Sequence, residues 1–131
     1  MSNTTPVQPI VVVSNTRYGS TAEYAAEFAR RTGGLLLGGQ GGSKSHPAEE
    51  LDEALAQRPD APLVIFTPNY AGTFGGANVM KTVARTYPER KMALAVVGMT
   101  ILEEVRAKDP AGAALDDVAD RVHRHYLPGR L

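Results

Sequence analysis

Two kinds of stretch alternate along this chain: short blocks of unbroken apolar residues, and longer segments in which apolar positions recur every three or four residues. Ile10-Val11-Val12-Val13, Leu35-Leu36-Leu37, Leu63-Val64-Ile65-Phe66 and Met92-Ala93-Leu94-Ala95-Val96-Val97 are of the first kind. They lack the polar alternation of a half-exposed strand, so they predict strands covered on both faces. The second kind predicts helices. The segment Ala22 to Arg31 places Ala22, Ala25, Phe28 and Ala29 on one face, and Pro47 to about Arg58 carries the stripe Leu51, Ala54 and Leu55. Further helices are expected over Ala77 to Thr86, Ile101 to about Lys108, and about Ala111 to Tyr126. In the last of these Leu115, Val118, Ala119, Val122 and Tyr126 repeat at helical spacing. Gly33-Gly34, Arg58-Pro59-Asp60-Ala61-Pro62, Tyr87-Pro88 and Asp109-Pro110 supply the stops. Met1 to Pro9, polar with two prolines, reads as a loose lead-in.

Strand and helix in strict alternation predict a doubly wound open parallel sheet with helices on both faces. The 131 residues suit one domain over 1–131. Because the chain stops at Leu127-Pro128-Gly129-Arg130-Leu131 soon after the last helical pattern, a fifth strand is expected to be absent or short. An uncovered sheet edge would then invite pairing, which makes a homodimer an expectation.

In sheets of this type ligands bind beyond the carboxyl ends of the strands, at the point where the strand order reverses. Three such ends carry unusual sequences. After the first strand come Ser14-Asn15-Thr16-Arg17-Tyr18-Gly19-Ser20-Thr21, a run of hydroxyls and one cation in front of a helix. A helix start offers unpaired N–H donors and partial positive charge, so this loop suits an anion. After the third strand come Asn69-Tyr70-Ala71-Gly72-Thr73-Phe74-Gly75-Gly76, again before a helix, and after the fourth Gly98-Met99-Thr100. The glycine cluster from Gly38 to Gly42 reads as plain flexibility, since the spacing of a P-loop and its fixed lysine are missing.

Composition narrows the chemistry. Lys plus Arg number 14 and Asp plus Glu number 14, which argues against a polyanion-binding or membrane-surface face. Cysteine is absent, excluding thiolate zinc sites, iron–sulfur clusters, disulfides and Cys nucleophiles; any redox chemistry must come from a bound organic cofactor. No apolar run reaches the length of a membrane span and the start has neither a basic nor an apolar leader, so a cytoplasmic protein is expected. His46 reads as a helix-entry residue. His123 and His125 are placed near the end of the last helix, where a cation suits the dipole, and their spacing does not put both on one helix face as metal ligands would require. Glu103, Glu104, Asp109, Asp116, Asp117 and Asp120 read as a solvated face without a partner arrangement for acid–base catalysis.

The run Thr16-Arg17-Tyr18-Gly19-Ser20-Thr21 after a valine strand resembles the phosphate loop of flavodoxin-domain proteins, in the S/T-x-Y-G-x-T variant. Pro68-Asn69-Tyr70-Ala71-Gly72 is similar to the P-x-Y-A-G stretch of the same subgroup. The resemblance implies a flavodoxin-like three-layer α/β/α fold, bound FMN and a role in electron transfer between a reductase and an acceptor. It further implies that Thr16, Ser20 and Thr21 donate hydroxyls to the FMN phosphate, with backbone N–H groups from Arg17 through Tyr18 and Gly19 to Thr21. Tyr70 and then Phe74 would face the isoalloxazine ring, Gly72 would let backbone approach its N5 edge, and Asn69, Ala71 and Thr73 would complete that loop. Gly98, Met99 and Thr100 would border the ring from the other side. An FMN-dependent oxidoreductase of the protoporphyrinogen- or quinone-linked type is the alternative, and a cofactor-free binding or assembly module of the same fold is another. The balanced charge departs from the acidic electron carriers of the family, which puts docking to their usual reductases in doubt. A phosphate-accepting receiver ranks below these, because Ser14-Asn15 and Thr67-Pro68 stand where its acidic cluster would be.

Overall fold

The computed structural model of the protein describes residues 8–13, 19–37, 48–68, 75–98 and 108–127. Its apolar blocks form β1 (Ile10–Val13), β2 (Leu35–Leu37), β3 (Leu63–Pro68) and β4 (Met92–Val97). The periodic segments form α1 (Gly19–Thr32), α2 (Ala48–Gln57) and α3 (Gly75–Thr86). A short helix α4 (Pro110–Leu115) runs into a 3₁₀ segment (Asp116–Arg121) and then β5 (Val122–Leu127). The expected helix from Ile101 to Lys108 falls almost wholly outside the described residues, as do the glycine cluster and His46.

All five strands are parallel, in the order β2-β1-β3-β4-β5, the flavodoxin-like arrangement of a doubly wound sheet. Helices pack on both faces. Ile10, Val12, Leu63, Ile65, Leu94 and Val96 point to the side of α2, α3 and α4, while Val11, Val13, Phe66, Ala95 and Val97 point to α1. The buried apolar residues of α1 are Ala25 and Ala29, small enough to bring the helix close to the strands, and Phe28 tilts against Phe66 with ring centres 5.8 Å apart. The end of α1 is a glycine stop: Gly33 takes φ 69° and the Gly34 N–H donates to the Ala29 carbonyl at 2.9 Å, the 6→1 bond of a Schellman motif.

The fifth strand corrects the sequence reading twice. The sheet does not lack an edge strand: β5 pairs with β4 along its full length, from Met92↔Val122 to Val97↔Leu127. Residues 116–127 also do not continue a helix, and His123 and His125 are exposed strand residues rather than helix-end cations. Helical spacing of Leu115, Val118, Val122 and Tyr126 was mimicry, since Val122 and Tyr126 also obey the period of two, with His123 and His125 on the opposite face. Asp116, at φ 57°, breaks the helix after Leu115.

What holds β5 in place is a polar clip that overturns the solvated reading of Asp109. Its carboxylate takes Arg124 Nε at 2.9 and 2.8 Å on its two oxygens and the Tyr126 hydroxyl on one of them; that hydroxyl accepts from the Ala111 N–H at 3.1 Å. Arg124 also donates to the carbonyls of Ala119 and Val122. Burial pushes the Asp109 carboxyl up, but the hydrogen bonds from Tyr126 and Arg124 and the adjacent positive charge outweigh it and hold the group below the usual carboxylate range. Burial, reinforced by the hydrogen bond to Asp109, pushes the Tyr126 hydroxyl up to about 12.

The opposite, amino edge of the sheet is braced by Arg90, a buried cation. Its guanidinium donates to the carbonyls of Leu55, Arg58 and Ala61 and lies 4.8 Å from the centre of the Tyr87 ring. Two of those acceptors are at the end of α2, where carbonyls have no partner within the helix. Nearby, Ile10 N–H donates to Pro62 and Leu63 N–H to Lys91, each at 2.9 Å.

Candidate functional site

The strand order places the reversal between β1 and β3. From β1 the chain leaves through α1 on one face of the sheet to reach β2; from β3 it leaves through α3 on the other face to reach β4. The two connections diverge at the carboxyl edge, which opens a crevice there. Register brings the ends together: Val13 is level with Phe66, Phe66 with Ala95, and Pro68 with Val97. The three loops singled out in the sequence therefore start from adjacent strands along one rim.

Neither α1 nor α3 has an acidic residue in its first turn, whereas α2, which follows the outer strand β2, begins Ala48-Glu49-Glu50. The first turns of α1 and α3 therefore carry no acid of their own against the positive end of the helix.

Local packing fixes the start of α3 closely. Thr67 is wholly buried at the end of β3, and its hydroxyl accepts the Gly76 N–H at 3.1 Å, meeting one of the donors a helix start leaves open. Gly76 sits so near the strand that a β-carbon there would lie 2.8 Å from both Ile65 Cγ2 and Thr67 Cβ. Sequence reasoning saw the glycines but missed Thr67 as their anchor. The available signal was a hydroxyl residue closing an apolar strand before a glycine-led helix.

Of the residues the sequence nominated, Gly19, Ser20 and Thr21 open α1, and Thr21 is buried with 3% of its surface exposed. Gly98 follows β4 with φ 104°, a conformation that favours glycine; its N–H donates to the Leu127 carbonyl at 3.0 Å and no atom of the described residues approaches the position of a β-carbon within 4 Å. Thr16, Arg17, Tyr18, Asn69, Tyr70, Ala71, Gly72, Thr73, Phe74, Met99 and Thr100 lie outside the described residues. What the described structure brings together is the frame around them: the ends of β1, β3 and β4 and the starts of α1 and α3.

Other hollows lie away from this rim. One of about 960 Å³ sits at the amino edge between Pro59, Tyr87 and Lys91, and one of about 540 Å³ runs along β5 past Asp120, His123 and His125. Among the described residues no group of His, Asp and Glu side chains is arranged to hold a metal ion, and no helix is long and apolar enough to cross a membrane. Comparison with protein-family models, with curated proteins and with solved structures finds no match to this chain.

Proposed function

We propose that the protein binds FMN at the carboxyl rim between β1 and β3 and serves in electron transfer. The observation that carries this reading is the pair of helices, α1 and α3, that open beside each other at the strand-order reversal with no first-turn acid to offset their positive ends. A ligand with an anionic tail suits such a place. The donor chemistry fits a phosphate monoester: hydroxyls of Thr16, Ser20 and Thr21, the Arg17 cation, and the N–H groups of the first turn of α1. The aromatic residues Tyr70 and Phe74, in the loop between β3 and α3, would supply faces for a flat ring system, each worth roughly 0.5–1.5 kcal/mol beyond burial.

Gly98 would border the ring with backbone alone, and Met99 and Thr100 would follow it there. Bound FMN would supply the capacity to take up and release electrons, which this cysteine-free chain lacks. The chain's own residues would bind the tail, flank the ring and exclude water from it.

The test is a flavin titration followed by fluorescence quenching, with Thr21→Ala and Tyr70→Ala alongside the parent chain. Saturable quenching by FMN, weakened in both variants, is expected. A parent chain that is colourless as purified and leaves flavin fluorescence unchanged overturns the proposal. Turnover of quinone or porphyrinogen acceptors by the loaded protein would favour the oxidoreductase alternative over a carrier.

A further inference from the structure

All-parallel sheets are ordinarily covered on both faces. Among the described residues, one face of this sheet is covered by α1 alone, which packs over β1 and reaches Phe66 and Ala95. Beyond α1, on the same face, β3, β4 and β5 present Val64, Ala93, His123 and His125, and the first two, on interior strands, are only half-buried. A groove of about 470 Å³ runs here, with Val64, Phe66, Ala93 and Ala95 as its floor, Phe28 of α1 as one wall, and His125 and Leu127 as the other. It continues into a second hollow of about 450 Å³ that shares Val64 and Ala93 and ends at the amino edge.

The two ends differ in charge. Lys91 precedes β4, Arg121 precedes β5 and His123 is the second residue of β5; all three are exposed, and the hollow they line has no carboxylate among its described residues. On the α1 wall, Glu27 is already engaged by Arg30 and Arg31, each at 2.5 Å, so the groove's other end has no net charge to match. Alanine at positions 93 and 95 keeps the floor low, where the opposite face of the same strand carries Met92, Leu94 and Val96.

We infer that this groove is the docking surface for an amphipathic helix of a partner protein, lying along the strands with small and aliphatic residues toward Ala93 and an acidic last turn against Lys91, Arg121 and His123. A helix placed so would set its negative C-terminal end beside the cations of Lys91 and Arg121. Its apolar stripe would complete the layer that the exposed sheet face lacks.

The probe is a synthetic, fluorophore-labelled amphipathic helix of about four turns with a Leu/Ala stripe and Glu residues in the last turn, titrated with the full chain by anisotropy. A control peptide carries Lys in place of Glu. The acidic peptide is expected to bind saturably and to weaken with added salt, and the basic one to bind at least about tenfold more weakly. Ala93→Arg and, separately, Lys91→Glu with Arg121→Glu should each weaken the acidic peptide by about tenfold or more while the flavin titration stays unchanged. The surface charge pair serves where the sheet variant fails to fold. No binding of the acidic peptide, equal binding of both peptides, or insensitivity to the substitutions overturns the inference. So does a chain that sediments as a dimer and is dispersed by Ala93→Arg, because the neighbour would then be the occupant.

Discussion

Replacing Tyr126 by phenylalanine tests whether the clip at the sheet edge carries the energy its geometry implies. The ring would stay packed, since Tyr126 is buried and the change removes only the hydroxyl. That hydroxyl, standing on β5, joins it to the start of α4 by two bonds: it donates to Asp109, the residue before that helix, and accepts from Ala111 in its first turn. Asp109 would keep Arg124, so its loss is partial, but the amide of the fully buried Ala111 would be left without its acceptor. Together the two changes should cost about 2–3 kcal/mol. In a domain of this size that lowers the melting temperature by roughly 6–10 °C. The pH dependence gives a second, independent reading. An unfolded tyrosine titrates near about 10, whereas the folded protein holds the Tyr126 proton up to about 12. Its stabilisation is therefore complete below the unfolded value and is lost as pH rises through that range. Asp109, whose folded value is depressed, contributes above the unfolded carboxylate range, and that contribution is lost as pH falls through the folded value. Urea unfolding followed by far-UV circular dichroism, at neutral pH and in steps from about pH 10 to 12, should show the parent losing its advantage over the variant as the pH climbs. A variant within about 0.5 kcal/mol of the parent at neutral pH, or a difference that does not shrink with alkali, would refute the reasoning.

Substitutions at four further positions probe the frame. Gly76→Ala should destabilise the fold by about 1–3 kcal/mol, because its β-carbon meets Ile65 and Thr67 in the packed sheet, and should weaken FMN quenching as α3 is pushed from the rim; Thr67→Val should cost about 1 kcal/mol through the lost cap, measured in the same urea series. Arg90→Ala is expected to lower stability by about 2–3 kcal/mol, since the carbonyls of Leu55 and Ala61 lose a buried donor, with Arg90→Lys recovering only part of it. Gly98→Ala would bring its methyl group within 4 Å of none of the described residues but lacks the backbone freedom, so a loss of about 1–2 kcal/mol without a change in core packing, checked by melting and near-UV dichroism, is expected.

Much of the fold was legible because parallel strands buried on both faces leave unbroken apolar runs, and β1, β3 and β4 announce themselves that way, while the short edge strand β2 is all leucine although only Leu37 is fully buried. The fifth was hidden for the same physical reason. At the sheet edge only one face is covered, so Val122, Arg124 and Tyr126 alternate with two histidines, and a six-residue alternation rich in polar groups competes poorly with a helical pattern continuing from Leu115. The pairing of Asp109 with Arg124 and Tyr126, fifteen and seventeen residues away, depends on the chain folding back through α4 and could not be seen from spacing. At the rim, strand ends and helix starts were readable from the sequence, whereas the anchoring of Gly76 by Thr67 needs the sheet and helix in contact.

The bracing around Arg90 has a consequence for how the molecule tolerates change. One side chain ties the exit of α2, the approach to β3 and the approach to β4 into a single joint, so the floor of the sheet is set independently of whatever the opposite rim holds. Segments at that rim can be lengthened, shortened or exchanged without disturbing how the strands line up beneath them. The scaffold is thereby a platform on which the chemistry above can diverge while its foundation stays put.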